Sequence, residues 1–539
     1  MGECTVDSKD GAAIRSAIEM LLRFSGEVAL LVPGWEERLK QNPQELETLE
    51  REIVQAYKRG AGLMIAGLVS VVMQTQEFAE TSEQTRQEYG IPLAKGRTQK
   101  LGIRLLGGVI MWATSLYCEP KRGSFRDPED GASGLHIELA QFGFGRKESP
   151  GQESKMARLS ALCPSFELAR DEMNRDGEST STGGVRRVAQ QCGDDLLKLR
   201  TIQILEWRAG TLKSTGELAG KRVTVQIDGG RTRIRGKLRA IVKNTGKTEE
   251  PATPAKAEPV TSEAPARSKT RPKTTFDGEW REPKLLTIFV HDEHGQMVKE
   301  INATIDGTFT GPDATSELVA MHLHRLGAAK AESITFVSDG ATWIWDRIDS
   351  IVQHAAIPES VRIYRVLDNC HAAHHISLAL GSLSLDAQTR TATYRELRSR
   401  LRNGQWRFVV KELQKQIVAG VKNETLLTEI AYLVKHGEAG HLRYTLFKAL
   451  GLPLGSGAIE SSIRRVINLR LKNSSTFWRE ENAESMLQLR SLVISGRWDE
   501  RLKLMRLGRK SINLTDWSWE PHPMSNKVES NSKSAQNTV

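Results

Sequence analysis

Cysteine is scarce and scattered in this 539-residue chain: Cys4, Cys118, Cys163, Cys192 and Cys370, with no Cys-x-x-Cys spacing. That argues against a disulfide-stapled secreted fold and against a zinc ribbon or finger. Long apolar runs are missing as well. The most apolar early segment, GLMIAGLVSVVMQ at 62–74, falls short of the about 20 residues that a membrane-crossing helix needs. Charged amphipathic sequence flanks it, so it is expected to be a buried helix, with no membrane partner. The amino terminus, MGECTVDSKDG, has no basic region leading into an apolar signal core, and a cytoplasmic protein is the simplest expectation. A phosphate-binding loop is also lacking. FGFGRKES at 142–149 has spaced glycines but not the Gly-x-x-x-x-Gly-Lys-Ser/Thr order, and reads as a loop with a basic edge.

What is present is positive charge. Lys and Arg total 76 against 66 Asp and Glu, a formal charge of +10 with pI near 9.3, which favours a polyanionic partner such as nucleic acid. The hydrophobic fraction of 39% suffices for globular cores, and the length suggests several domains.

Hydrophobic spacing divides the chain. Residues 1–100 read as a helical DNA-binding or oligomerisation region, with apolar positions every three or four residues and breaks at Pro33 and Pro43. Residues 101–215 form a mixed accessory region: LGIRLLGGVIMWATSLY reads as strands and VRRVAQQCGDDLLKLRTIQILEWRAG as a helix. A catalytic core is read at 216–371. KRVTVQI is a strand ending at Asp228, TRIRGKLRAIV resumes extended sequence, and REPKLLTIFVHD and KEINATIDGTF follow as strands. A proline-rich, small-residue stretch at 244–276 interrupts that core as a flexible linker, having too few large apolar side chains to bury. Helix, strand, helix, strand come next, with SITFVSD ending in Asp339 and VRIYRVLDNCH ending near Asp368. Meandering strands followed by alternating helices and parallel strands give an α/β fold, a mixed sheet flanked by helices. Residues 372–450 read as an inserted helical subdomain and 451–498 as the helical end of the core. A partly disordered extension is expected at 499–539.

Three acids occupy chemically suggestive positions. Asp228 and Asp339 stand where apolar strands end, and Glu460 opens a late helix in GSGAIESSIRRV. Acids at the ends of adjacent strands sit at a ligand-binding edge. Carboxylates supply the hard oxygen ligands of two-metal phosphodiester chemistry, and the ordered set suggests that role for all three. Taken singly, each Asp-Gly is equally a turn. Ser456 is a candidate N-cap for the Glu460 helix. Arg464, Arg465, Arg470 and Lys472 follow Glu460 as candidate phosphate contacts, Arg464 on the same helical face; a merely solvated basic helix is the alternative. In DNCHAAHH, Asp368 and His371 suggest a supporting pair beside the acids. Cys370 with His371 also allows zinc or thiol chemistry, although neighbouring side chains on a strand point to opposite faces. Trp343 and Trp345 offer either base stacking or core packing.

Taken in order, VTVQIDGG, WREPK at 280–284, FVSDGA, YRVLDNCHAAHH, GSGAIESSIRRVINLRLKNSS and ENAESMLQLRSL resemble the ISKra4-like bacterial insertion-sequence DDE transposases over roughly residues 190–495. The first 190 residues resemble that group much less clearly. The resemblance implies an RNase H-like core with Asp228, Asp339 and Glu460 as the metal-binding triad and Asp368 with His371 as an Asp-x-x-His element. It further implies Mg²⁺ as cofactor, with Mn²⁺ able to substitute. Double-stranded transposon ends and target DNA would be the partners, a homo-oligomer of at least two chains the assembly, and the nucleoid the location. A transposase-derived DNA-binding protein without activity, and a metal-dependent structure-specific nuclease, remain as alternatives. The linker at 244–276 is a departure from the family pattern that leaves the triad intact.

Overall fold

A computed structural model describes residues 8–89, 92–120, 134–238, 276–417, 423–472, 476–508 and 520–524. Most of the 244–276 linker and the chain end beyond 524 lie outside these residues. The amino-terminal helices are α1 (Ser8–Gln41), α2 (Leu46–Met73) and α3 (Gln76–Glu88). Pro33 sits inside α1 rather than ending it: a proline removes one ladder hydrogen bond, which a helix of this length absorbs. Pro43 does fall at a break, where the Asn42 side chain caps a short 3₁₀ turn. The 62–74 segment is helical but only half buried. Gly62, Ala66 and Gly67 face inward while Met64, Ile65 and Leu68 are exposed. Together with its preceding turn, Pro43–Met73 is long and apolar enough to cross a membrane.

Strands β1 (Leu93–Arg104) and β2 (Ile110–Pro120) form an antiparallel hairpin joined by β3 (Leu135–His136). Gly107 and Gly108 make the turn, both with φ near +80°, a region costly for any residue with a Cβ. Four helices follow: α4 (Ile137–Gln141), α5 (Pro150–Leu162), α6 (Phe166–Arg175) and α7 (Thr182–Arg208).

The central sheet holds β4 (Arg222–Gly229), β7 (Lys284–Val290), β8 (Thr304–Thr308), β9 (Ser333–Ser338) and β10 (Arg362–Leu367), in the order β10-β9-β4-β7-β8. Strands β4, β7 and β8 meander antiparallel, whereas β9 and β10 run parallel to β4 and to each other. This is the mixed sheet of the α/β fold expected from the sequence. The extended sequence after Asp228 does not join it: β5 (Thr232–Leu238) and β6 (Phe276–Arg281) pair with each other as a separate two-stranded ribbon.

Helix α8 (Pro312–Leu326) links β8 to β9, beginning with proline and stopping at Gly327, whose φ is +82°. Helices α9 (Thr342–Trp345) and α10 (Ile348–His354) link β9 to β10. Then come α11 (Asn369–Gly381), α12 (Ala387–Arg402), α13 (Trp406–Gln414), α14 (Glu424–Glu438) and α15 (Tyr444–Ala449), followed by α16 (Gly457–Ile463), α17 (Glu480–Ser495) and α18 (Trp498–Gly508). Alternation along the strands sorts side chains into two layers. Val223, Val225, Ile227, Leu286 and Ile288 pack on α8, α10 and the inserted helices, as one continuous core that includes Leu397, Trp406 and Leu433. Leu285 and Ile305 face the other way, onto α5, α7, α16 and α17. The insertion therefore shares the core of the sheet instead of building its own.

Candidate functional site

Asp228 ends β4 and Asp339 follows β9. These strands are parallel neighbours, paired from Arg222 with Ser333 to Val225 with Phe336. Carried three residues further, that register sets Asp228 level with Asp339, on strands spaced about 4.8 Å apart. Both carboxylates are half buried. Asp228 accepts from its neighbour Gly229 N–H at 2.6 Å, and Asp339 accepts from Ala341 N–H at 3.0 Å. Burial pushes the Asp228 carboxyl up to about 6 and the charge of Asp339 adds to the rise, while the Gly229 N–H, His371 and Lys284 pull against it. Two acids facing one another with so little cationic compensation leave negative charge unspent at this sheet edge.

Glu460 comes to the same edge because β4 reaches across to hold its helix. The Gln226 side chain, two residues before Asp228 and on its face of the strand, donates to Gly455 O at 3.0 Å and accepts from Ile459 N–H at 2.9 Å. The buried glutamine is thereby satisfied at both ends. Gly230 packs closely on Ile463 and Ile467 of the same element. Beyond Ile463 the helix widens into a π turn, Arg464–Asn468, a form that recurs at functional sites. Glu460 itself is 55% exposed, with its Oε1 at 3.8 Å from His371 Nε2 and 3.3 Å from Ser456 Oγ.

Asp368 has a bracing position. The strand β10 stops at Leu367, so Asp368 caps α11, with Oδ1 accepting from Cys370 N–H at 2.5 Å and His371 N–H at 2.9 Å. Its Oδ2 accepts from the backbone and the hydroxyl of Ser456. Ser456 occupies the N-cap position of α16 but makes no side-chain cap bond there, because its hydroxyl is engaged by Asp368. Asp368 is 1% exposed and ties the start of α11 to the loop that delivers Glu460. Since α11 is a helix and not strand, His371 turns toward Glu460 while Cys370 is exposed. Behind Asp339, Trp345 Nε1 donates to the Asp339 carbonyl at 2.7 Å, and Tyr432 lies so close that a Cβ on Gly340 would stand 2.1 Å from its hydroxyl. Tyr432 stacks on His375 with ring centroids 3.6 Å apart, and Trp345 on His441 at 4.2 Å.

Other sequence expectations separate here. Arg464, Arg465 and Lys472 are exposed on the continuation of the Glu460 helix. Arg470 is not: it is 2% exposed, donates to Ser160 O and Pro164 O, and stacks over Phe166 and Trp478 at 4.8 and 5.1 Å. Its inward place in the turn after the π segment makes it a packing residue. Trp345 is buried and Trp343 half buried with the Lys284 ammonium 4.6 Å over its ring, so neither offers a free face to a base. Gln226 and Lys284 escape the sequence reading, and Ser456, expected as an N-cap, is engaged by Asp368 instead. The only signal was a glutamine or lysine inside or opening an apolar strand.

Three oxygen-bearing side chains suit a hard divalent ion such as Mg²⁺. Among the described residues, however, no group of three or more His, Cys, Asp or Glu side chains is close enough to hold a metal. The donor chemistry fits, and the two aspartates are side by side. Glu460 is turned to His371, on a side chain free enough in solvent to rotate.

No protein-family model and no curated protein matches this chain. Among solved structures, the Drosophila P element transposase strand transfer complex is similar at 11% identity and a TM-score of 0.32, over 66% of this chain and 93% of that one. Likeness at that level carries no argument about activity, which rests on the arrangement of the acids.

Proposed function

We propose that this chain is a DDE-type DNA transposase that cleaves phosphodiester bonds at element ends and joins the 3′ hydroxyls to target DNA. The observation that supports the reading is that Asp228 and Asp339 stand at the same end of the parallel neighbours β4 and β9, with the Glu460 helix clamped to β4 through Gln226. Asp228, Asp339 and Glu460 would hold Mg²⁺, or Mn²⁺ in its place. When bound, the ions would activate a hydroxyl and stabilise the leaving oxygen. The chain's own part is positional. Asp368 fixes the loop before α16, His371 lies beside Glu460, and Lys284 attenuates repulsion at Asp228. Exposed Arg464, Arg465 and Lys472 supply phosphate contacts beside the acids, for duplex DNA engaged by at least two copies of the chain.

The test supplies the DNA flanking the gene together with Mg²⁺ and follows cleavage and joining separately. Wild type should yield both products. Asp228→Ala, Asp339→Ala and Glu460→Ala should each lose at least about a thousandfold in rate, the scale on which electrostatic stabilisation of a transition state operates, while retaining end binding. Activity surviving in these variants would sink the triad. Cleavage without joining would favour a structure-specific nuclease, and binding alone a transposase-derived DNA-binding protein.

A further inference from the structure

The WREPK segment contains a residue that neither the core nor the acids explain. Trp280 lies on the β5–β6 ribbon and is 52% exposed. The ribbon leaves the sheet immediately after Asp228 and is rooted on the Glu460 element, with Thr232 Oγ1 donating to Leu471 O at 2.7 Å and Ile234 buried beside Trp478. Because Thr232 and Ile234 point inward, strand alternation puts Arg233 and Arg235 on the outward face, and Arg231 is exposed immediately before the strand. Trp280 is the cross-strand partner of Arg233. The Arg233 guanidinium lies 4.9 Å from the Trp280 ring and 5.9 Å from that of Phe477, and Arg235 Nε donates to Phe477 O at 3.0 Å. Cation–π contact with Arg233 props the indole in place and leaves half its surface to solvent.

A row of arginines selects a polyanion, and an exposed indole set among them selects one that carries planar rings. An acidic peptide would satisfy the first feature and leave the second idle. We infer that this face is a stacking platform for an unpaired nucleobase: the base lies on Trp280, and the phosphates on either side meet Arg231 and Arg235. The inference rests on the nucleic-acid reading above and assigns to the ribbon the strand that leaves the acidic edge. A preference follows for DNA whose bases are unpaired next to the site, since a paired base keeps its faces inside the helix stack.

The experiment measures anisotropy of labelled oligothymidine, a blunt duplex and the same duplex with a single-stranded flap, in EDTA so that binding is read apart from cleavage. Wild type should favour the strand and the flapped duplex. Trp280→Ala should weaken both by roughly tenfold, the scale of one stacked base, with Trp280→Phe restoring most of the loss and the blunt duplex unaffected. Arg231→Ala combined with Arg235→Ala should flatten the salt dependence on single strands by roughly one to one and a half logarithmic units per decade. Equal binding by wild type and Trp280→Ala on the flapped duplex would overturn the platform, as would failure of wild type to bind any of the three probes. The outcomes separate the two readings. Trp280-dependent binding without Mg²⁺-dependent cleavage leaves the platform standing and removes the chemistry; cleavage with no Trp280 effect on binding does the reverse.

Discussion

Asp228 and Asp306 have the same local sequence, Ile-Asp-Gly, on strands that flank β7 on either side. Each carboxylate accepts the N–H of its following glycine, at 2.6 and 2.7 Å. Their surroundings are opposite. Asp306 is 2% exposed, receives Arg200 Nη1 at 3.1 Å and His322 Nε2 at 2.9 Å, and Arg200 goes on to Glu484. Burial opposes its charge, yet Arg200 and His322 hold its carboxyl well below the usual range. At Asp228 burial and a second acid push the other way. One aspartate has its charge consumed by the fold, while the other keeps it available.

Three substitutions would break or sharpen that contrast. The largest effect belongs to Arg200→Ala, which strands Asp306 and Glu484 without their cation and should cost about 3 to 5 kcal/mol in a denaturant titration; a cost under about 1 kcal/mol would mean the network is incidental. Next is Asp228→Asn. The Asp228 pKa is raised from 3.8 to about 6 in the fold, so its ionisation opposes folding above that pH. Metal-free Asp228→Asn should be more stable than wild type by about 2 to 3 kcal/mol at pH 7. The advantage should shrink as pH falls through 6 and vanish below the unfolded value near 4. A pH-independent difference would place the origin elsewhere. The smallest is Ser456→Ala, which takes one donor from buried Asp368 and should cost about 1 to 2 kcal/mol. It should also slow any cleavage without weakening end binding, because the loop delivering Glu460 loosens; unchanged cleavage would detach Asp368 from the site.

The legible parts of this molecule were those set by local pattern. Alternating apolar residues before Asp228 and Asp339 marked strand ends, and Gly455 and Gly457 around Ser456 marked the entry to the Glu460 helix; both are as read. What remained hidden was set by distant segments. Asp306 looks like Asp228 until Arg200 of α7 arrives. Arg470 and Arg464 lie in one basic run, and only the packing of α5 and the loop before α6 decides that the first is buried and the second is not. Ser456 belongs by its spacing to a helix cap, but a carboxylate from across the site outcompetes the backbone for its hydroxyl. The extended stretches on both sides of the linker were read as part of the core, and their pairing with one another followed from an inward face, Thr232 and Ile234, that meets α16 and the segment after it rather than the sheet.

That pairing has a consequence for how the chain can change. Leu238 and Phe276 are opposed in the ribbon, so the intervening segment begins and finishes at neighbouring points whatever its length. Doubling a loop costs only about 0.6 kcal/mol of closure entropy. Residues added or removed there leave every register of the central sheet unchanged, which makes the ribbon tip a place where the gene can vary in length, or accept a foreign module, a short distance along the strands from the acidic edge.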